Sequence, residues 1–282
     1  MKKSLFVLGT ALLFSTSAFA DNWSYAQGGT YQRPVNRPQQ SAPAYKSSAN
    51  ANKNSQYRMG NPLYHPRAGQ KVLTGTASYY YMPREKNVPQ EKTTGWTIDP
   101  MGEIGLTDRL SVFLGAQYGR FKVKSGPKAT TYDAEIGARY LLGSADGFDF
   151  NVNAGLYYDK DRANNVGTVS RRTGTDLALQ VGKKIQSITP YFAVGFKTDF
   201  WSKRRSSHGT DTYINPGVYV NLTKTVSMDL SYTSVIHDDA MYRAMFDIYA
   251  NRNTMFTVGG FVVHPETDNN IYGVTAGVKV GF

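Results

Sequence analysis

The chain has no cysteine, which excludes a disulfide framework, a thiolate metal site and a cysteine nucleophile. Histidine is scarce: His65, His208, His237 and His264 are the 4 present, and their separations do not match metal-ligand spacing. Beyond the first twenty residues no apolar run approaches the roughly twenty residues that a membrane-crossing helix needs. Acid is rare in one region. Between residues 21 and 69, Arg33, Arg37, Lys46, Lys53, Arg58 and Arg67 are opposed only by Asp21. Much of the formal charge of +11 therefore lies in a tail, whereas a nucleic-acid domain carries its basic face on a folded unit. What is plentiful is glycine at 27, tyrosine at 20 and phenylalanine at 14, a composition suited to β structure.

Residues 1–20 have the organisation of a secretory signal. MKK is a basic start, SLFVLGTALLF is too short to span a bilayer, and Ala18 and Ala20 occupy small-residue positions before a cleavage site. An exported mature chain from Asp21 is expected, so nucleic acid is not an expected partner. Residues 21–69 are rich in Asn, Gln, Ser, Pro and Gly and lack a sustained period, so they are expected to form a disordered basic tail. Its tyrosines, including Tyr57, offer contacts for a possible partner.

From residue 70 onward side-chain character alternates with period two. In TYDAEIGARYLL, Tyr132, Ala134, Ile136, Ala138, Tyr140 and Leu142 oppose Asp133, Glu135, Gly137 and Arg139. Similar runs predict strands near 71–82, 94–106, 110–122, 130–142, 148–159, 173–183, 188–200, 211–222, 226–236, 241–250, 254–263 and 271–282. That is about twelve strands, with ten to fourteen allowed. Their connections alternate between tight ones, such as 107–109 and 251–253, and long charged ones at 83–94, 159–172 and 201–211. In hydrocarbon every backbone polar group must be satisfied within the protein, so a spanning sheet must close. The expected fold is thus all-β, a transmembrane antiparallel up-and-down barrel over 70–282, with tight turns at one end and long loops at the other.

The last strand, YGVTAGVKVGF ending in Phe282, together with the export signal and the even meander, resembles bacterial outer-membrane β-barrel proteins, porin-like in type. The resemblance covers residues 70–282 and implies a location in the bacterial outer membrane, with the 21–69 tail on the periplasmic side. It further implies that Tyr272, Val278, Val280 and Phe282 are read by the barrel-assembly machinery. Outer-membrane lipid and lipopolysaccharide are the other partners it implies, and no cofactor is expected.

Within this frame Tyr79, Tyr80, Tyr81, Trp96, Tyr158, Phe200 and Trp201 are expected in an aromatic girdle. Lys122, Lys124, Arg171, Arg172, Lys203, Arg204 and Arg205 are expected on an external rim able to bind anions or lipopolysaccharide phosphates. Asp99, Glu103, Asp133, Glu135, Arg139, Asp149, Lys197, Arg243 and Lys279 are expected to line the lumen. His237 with Asp239 resembles the histidine–aspartate pairs of the omptin surface proteases, where a carboxylate orients an imidazole that activates water. A second acidic pair at a matching rim position is lacking. The histidine of the membrane's lipases would have to sit mid-strand, and none here does. The sequence therefore points to a narrow passive pore or a structural surface protein with lipopolysaccharide contacts, with a surface hydrolase as the alternative.

Overall fold

A computed structural model describes residues 57–83, 92–124, 126, 128–164, 167–203, 210–235, 239–265 and 270–282. Twelve strands run in chain order among these residues: β1 (Lys71–Met82), β2 (Thr93–Gly105), β3 (Leu110–Val123), β4 (Lys128–Ala145), β5 (Phe148–Ala163), β6 (Gly167–Lys183), β7 (Ile188–Lys203), β8 (Thr210–Asn221), β9 (Val226–Val235), β10 (Ala240–Asn251), β11 (Thr254–His264) and β12 (Ile271–Gly281). Each pairs antiparallel with its chain neighbours, and β12 returns to β1 through a register running from Val72 opposite Gly281 to Tyr81 opposite Tyr272. The barrel is closed. No edge remains to template association, and the ladder groups are satisfied inside the sheet.

Alternation decides what each face meets. Leu73, Leu114, Ile136, Leu156, Phe196, Phe246, Phe256 and Val274 are exposed on the outside, with Leu114 at 62% and Val274 at 60%. On the last strand Tyr272, Val274, Val278 and Phe282 likewise face outward and are exposed. In water such a surface would be unstable; against acyl chains it is the favoured one. Tyr132 and Tyr140 frame Ile136 on β4, which places their rings roughly 20 Å apart for a tilted strand, near the height of an apolar belt.

Short connections gather at one end. The β4–β5 turn is the two-residue hairpin Asp146-Gly147, with φ of 51° and 81°, a left-handed pair that matches the twist of the strands it joins. At the other end the strands differ in reach. β4 to β7 hold 18, 16, 17 and 16 residues, whereas β9 holds 10 and β11 and β12 hold 11 each. Eighteen residues in a tilted strand rise roughly 45 Å, well beyond a belt of about 25 Å, so β4 to β7 stand as a tall wall.

Two expectations are corrected here. The stretch 159–172 is mostly strand rather than loop, with Asp159 opposite Arg172 and Lys160 opposite Arg171. Charge on both faces of that hairpin hid the alternation. Nor do residues 57–69 belong to a disordered tail. Tyr57, Met59, Asn61, Leu63 and His65 are buried within the short-turn end of the barrel. The rest of the expected tail, 21–56, lies outside the described residues, as does the expected signal segment.

Candidate functional site in the barrel lumen

The inner wall is built on a recurring device in which an inward aromatic ring lies across a glycine of the next strand. Tyr157 faces Gly174, Tyr191 faces Gly217, and Tyr213 faces Gly195 in register. A Cβ on Gly195 or Gly217 would come within 2.3 Å of the ring that crosses it. Each ring then ends on a carboxylate. Tyr191 donates to Asp229 at 2.8 Å, Tyr213 donates to Asp176 at 2.9 Å, and Tyr157 donates to Asp199. Glycine is thus needed where a side chain presses flat on the backbone, and the rings stay on the wall instead of blocking the axis.

Three layers follow along the lumen. At the long-loop end an apolar cluster draws Tyr80, Met82, Phe121, Val235, Met241, Phe261, Val263 and Ile271 inward from strands around the barrel. Tyr80 packs against Phe121 and Phe261 with ring centroids 5.5 and 5.2 Å apart. Tyr80 therefore faces inward and is not a girdle residue. Tyr79, Trp96, Tyr158, Phe200 and Trp201 are exposed on the outside.

The middle layer is ionic. A cavity of about 170 Å³ is lined by Asp99, Asp133, Glu135, Asp159, Asp176, Lys197 and Lys279, among others. Lys197 lies 3.9 Å from Asp159 and stands over the Tyr157 ring at 4.0 Å. Arg172 pairs with Asp159 and lies 3.9 Å from Asp199. Its side chain belongs to the lumen, which corrects its expected place on the rim: opposite Asp159 on an inward-facing position, it has carboxylates to neutralise it. Arg243 pairs with Asp229 at 2.8 Å. Carboxylates outnumber cations around the cavity, and one oxygen each of Asp99, Asp133 and Glu135 is buried without a hydrogen-bond partner.

At the short-turn end, segment 57–70 crosses the lumen. Tyr57 donates to Asp149, Asn61 donates to Thr189 at 3.2 Å, the Gly60 amide donates to Tyr249 at 3.0 Å, and Arg58 donates to Ser227 at 3.1 Å. Leu63 packs on Gly182. Arg139 lies 3.5 Å from Glu103 and donates to the Tyr64 carbonyl at 3.0 Å. Ser111 donates to Glu103 at 2.6 Å. The His65 ring donates through Nδ1 to the Pro66 carbonyl at 2.8 Å; burial, reinforced by the Arg139 charge, lowers its pKa, so it is held neutral. Below the segment a second cavity, about 880 Å³, is bordered by Tyr64, His65, Tyr249 and Phe282. In the row next toward the long-loop end, Asn151 is 0% exposed with neither amide atom partnered, and Gln180 opposite it has a buried free oxygen.

Among the expected lumen residues, Asp99, Glu103, Asp133, Glu135, Arg139, Asp149, Lys197, Arg243 and Lys279 thus occupy inward positions, divided between the middle layer and the segment's bed. Of the expected rim residues, Lys122 and Lys124 are exposed at the long-loop end, and Arg171 stands over the outward Trp201 ring at 6.0 Å. Lys203 is described in backbone only, opposite Arg171, while Arg204 and Arg205 lie outside the described residues. His237 lies outside them too, and Asp239, just before β10, is 2% exposed. Among the described residues no group of three or more His, Asp or Glu is arranged to hold a metal ion. Sequence reasoning missed the 57–70 segment and the tyrosine braces. The signal for the braces was an inward glycine opposite an inward aromatic, visible only once register is known.

No protein-family model matches the chain, and no curated protein matches it by sequence. Solved structures do match in fold. The transport unit of the autotransporter AIDA-I from Escherichia coli is 10% identical, with 81% of this chain and 95% of that one covered at a TM-score of 0.52. An outer membrane channel from Pseudomonas putida F1 is 11% identical, with 77% and 97% covered at a TM-score of 0.54. The fold is that of the bacterial outer-membrane β-barrels, and the apolar exterior is that of a barrel set in a bilayer.

Proposed function

We propose that the protein is a narrow, cation-preferring pore of the bacterial outer membrane, held shut by its own segment 57–70. The observation that carries this reading is the acidic cavity in the middle of the lumen, where Asp99, Asp133 and Glu135 present buried oxygens without partners. Burying carboxylates without compensation is costly, and a mobile cation offsets that cost as it passes. At about 170 Å³ the cavity holds on the order of ten waters, enough for a partly hydrated inorganic cation or a small amine.

Two closures lie in series with this chamber. The apolar cluster at the long-loop end resembles the constrictions that gate by excluding water. The segment at the short-turn end is attached differently, through polar contacts and over a bed whose Asn151 and Gln180 are left unsatisfied. These polar contacts act beside an apolar one, in which Met59 packs with Val72, Tyr249 and Met255, and release of the segment exchanges both.

Planar-bilayer recording tests the proposal. The full chain is expected to show small, infrequent openings, and a chain lacking residues 21–69 is expected to conduct severalfold more. In a potassium chloride gradient the reversal potential should report cation preference. Flat traces from both chains, with folding verified, would refute the pore.

A further inference from the structure

The basic residues on the outside of β3 and the adjoining part of the tall wall form a second site, facing lipid instead of the lumen. Arg120 and Lys122 of β3, Lys128 of β4 and Arg162 of β5 are exposed, and Lys160 of β5 and Arg171 of β6 are half-buried beside them. Lys122 stands directly opposite Lys128, Arg120 and Arg162 flank Thr130 from either side, and Lys160 stands opposite Arg171. Like charges placed face to face across a ladder repel one another. From Trp96 on β2 to Trp201 on β7, no described outward residue at this end of the wall is acidic. The acids of the same strands, Asp133, Asp159, Asp161 and Asp199, all turn inward.

Aromatic rings set the depth of this patch. Trp96, Tyr118 and Tyr132 run edge to edge across β2, β3 and β4, with centroids 5.5 and 5.3 Å apart. Such rings mark the boundary between acyl chains and headgroups. Arg120 stands opposite Trp96 and Lys160 stands opposite Tyr132; Lys122 lies two residues beyond Arg120, about 7 Å further along β3, and Lys128 stands opposite it, four residues from Tyr132 on β4. Their cations therefore lie at the level of headgroup phosphates. The patch is also one-sided among the described strand residues: on β8 to β12 and β1 the outward positions at the long-loop end include Thr212, Ser234, Tyr242, His264, Tyr272 and Tyr79 and hold no Lys or Arg, with Lys92, over the Tyr81 ring, marking the patch's edge.

We infer that the outer face of β3 to β6 binds the phosphate groups of a phosphorylated lipid headgroup in the external leaflet, of the bis-phosphorylated glycolipid type. Arg120 and Arg162 supply planar forks suited to phosphate oxygens, and the lysines supply point charges around them. The phosphates separate the facing cations, and the rings below pack against the first acyl carbons. This does not depend on whether the lumen conducts.

Purified protein in phosphatidylcholine nanodiscs containing a few per cent of bis-phosphorylated lipid A tests the inference, with bound glycolipid counted by native mass spectrometry. The wild type should retain at least tenfold more bis-phosphorylated than dephosphorylated lipid A. The variant Arg120→Gln, Lys122→Gln, Lys128→Gln, Arg162→Gln should lose that preference, whereas Lys224→Gln with Arg252→Gln at the short-turn end should keep it. Millimolar inorganic phosphate should fail to displace the lipid; complete displacement would make the site one for free anions and overturn the lipid assignment. Equal retention of the two lipid forms by the wild type would overturn it as well, without any variant having to fold.

Discussion

Tyr213 and Asp176 stand two strands apart, on β8 and β6, yet the tyrosine hydroxyl reaches the carboxylate at 2.9 Å by passing over Gly195. The brace ties three strands together at one buried point. Gly195→Ala is expected to destabilise the barrel by about 1–3 kcal/mol through overpacking. Tyr213→Phe should cost about 1–3 kcal/mol by removing the donor to Asp176. Urea titration in micelles, followed by tryptophan fluorescence, checks both, and unchanged midpoints would show that the brace carries no stability.

Ile136 is 57% exposed midway between Tyr132 and Tyr140 on the outer face of β4. Ile136→Arg would set a charge near the bilayer midplane, at a cost of about 2–4 kcal/mol. The loss should be measured by reversible folding into lipid vesicles. A change near zero would mean that this face does not meet acyl chains.

Arg139 joins Glu103 to the carbonyl of Tyr64, and both charged side chains are buried. Arg139→Met strands Glu103, which should cost about 3–5 kcal/mol, whereas adding Glu103→Gln should recover most of it. The double-mutant comparison of unfolding midpoints reads this directly. A loss in the double variant equal to the sum of the two single losses would show that the pair is not coupled.

His65 is kept neutral by burial and by Arg139, so its pKa with the segment docked lies below its value in the free segment. The free segment then binds more protons than the docked one, and docking is strongest above the ordinary histidine value of about 6.5 and weakens as pH falls below it. Trypsin cleavage after Arg67 should accelerate severalfold on going from about pH 8 to about pH 5 once corrected for the enzyme's own profile, and His65→Gln should flatten the response. A wild-type rate that ignores pH would separate His65 from docking.

Asp133→Asn with Glu135→Gln removes two of the carboxylates lining the central cavity. The reversal potential of the chain lacking residues 21–69 should move toward zero. An unmoved potential would place selectivity elsewhere.

The barrel was legible because strands such as Tyr132–Leu142 and Tyr272–Phe282 keep apolar residues strictly on alternate positions, and only closure makes such a two-faced sheet stable in lipid. The hairpin around Asp159 and Arg172 was misread for the opposite reason: with Asp159 inward and Lys160 outward, both faces are charged and no contrast remains. Segment 57–70 carries polar and aromatic residues in no period, so its burial depends on a lumen that exists only after twelve strands have closed. The inward carboxylates could be named from alternation, but which cation meets which acid needed register, as Arg172 shows.

The unequal heights of the strands give the molecule a front and a back. Behind the raised side formed by β4 to β7, a body diffusing in the plane of the leaflet meets a parapet; at the low side of β9 to β12 it arrives level with the mouth. Among the described residues, traffic or partners approaching sideways through the membrane meet the lowest wall on that bearing, and the orientation of the barrel among its neighbours determines what can use it.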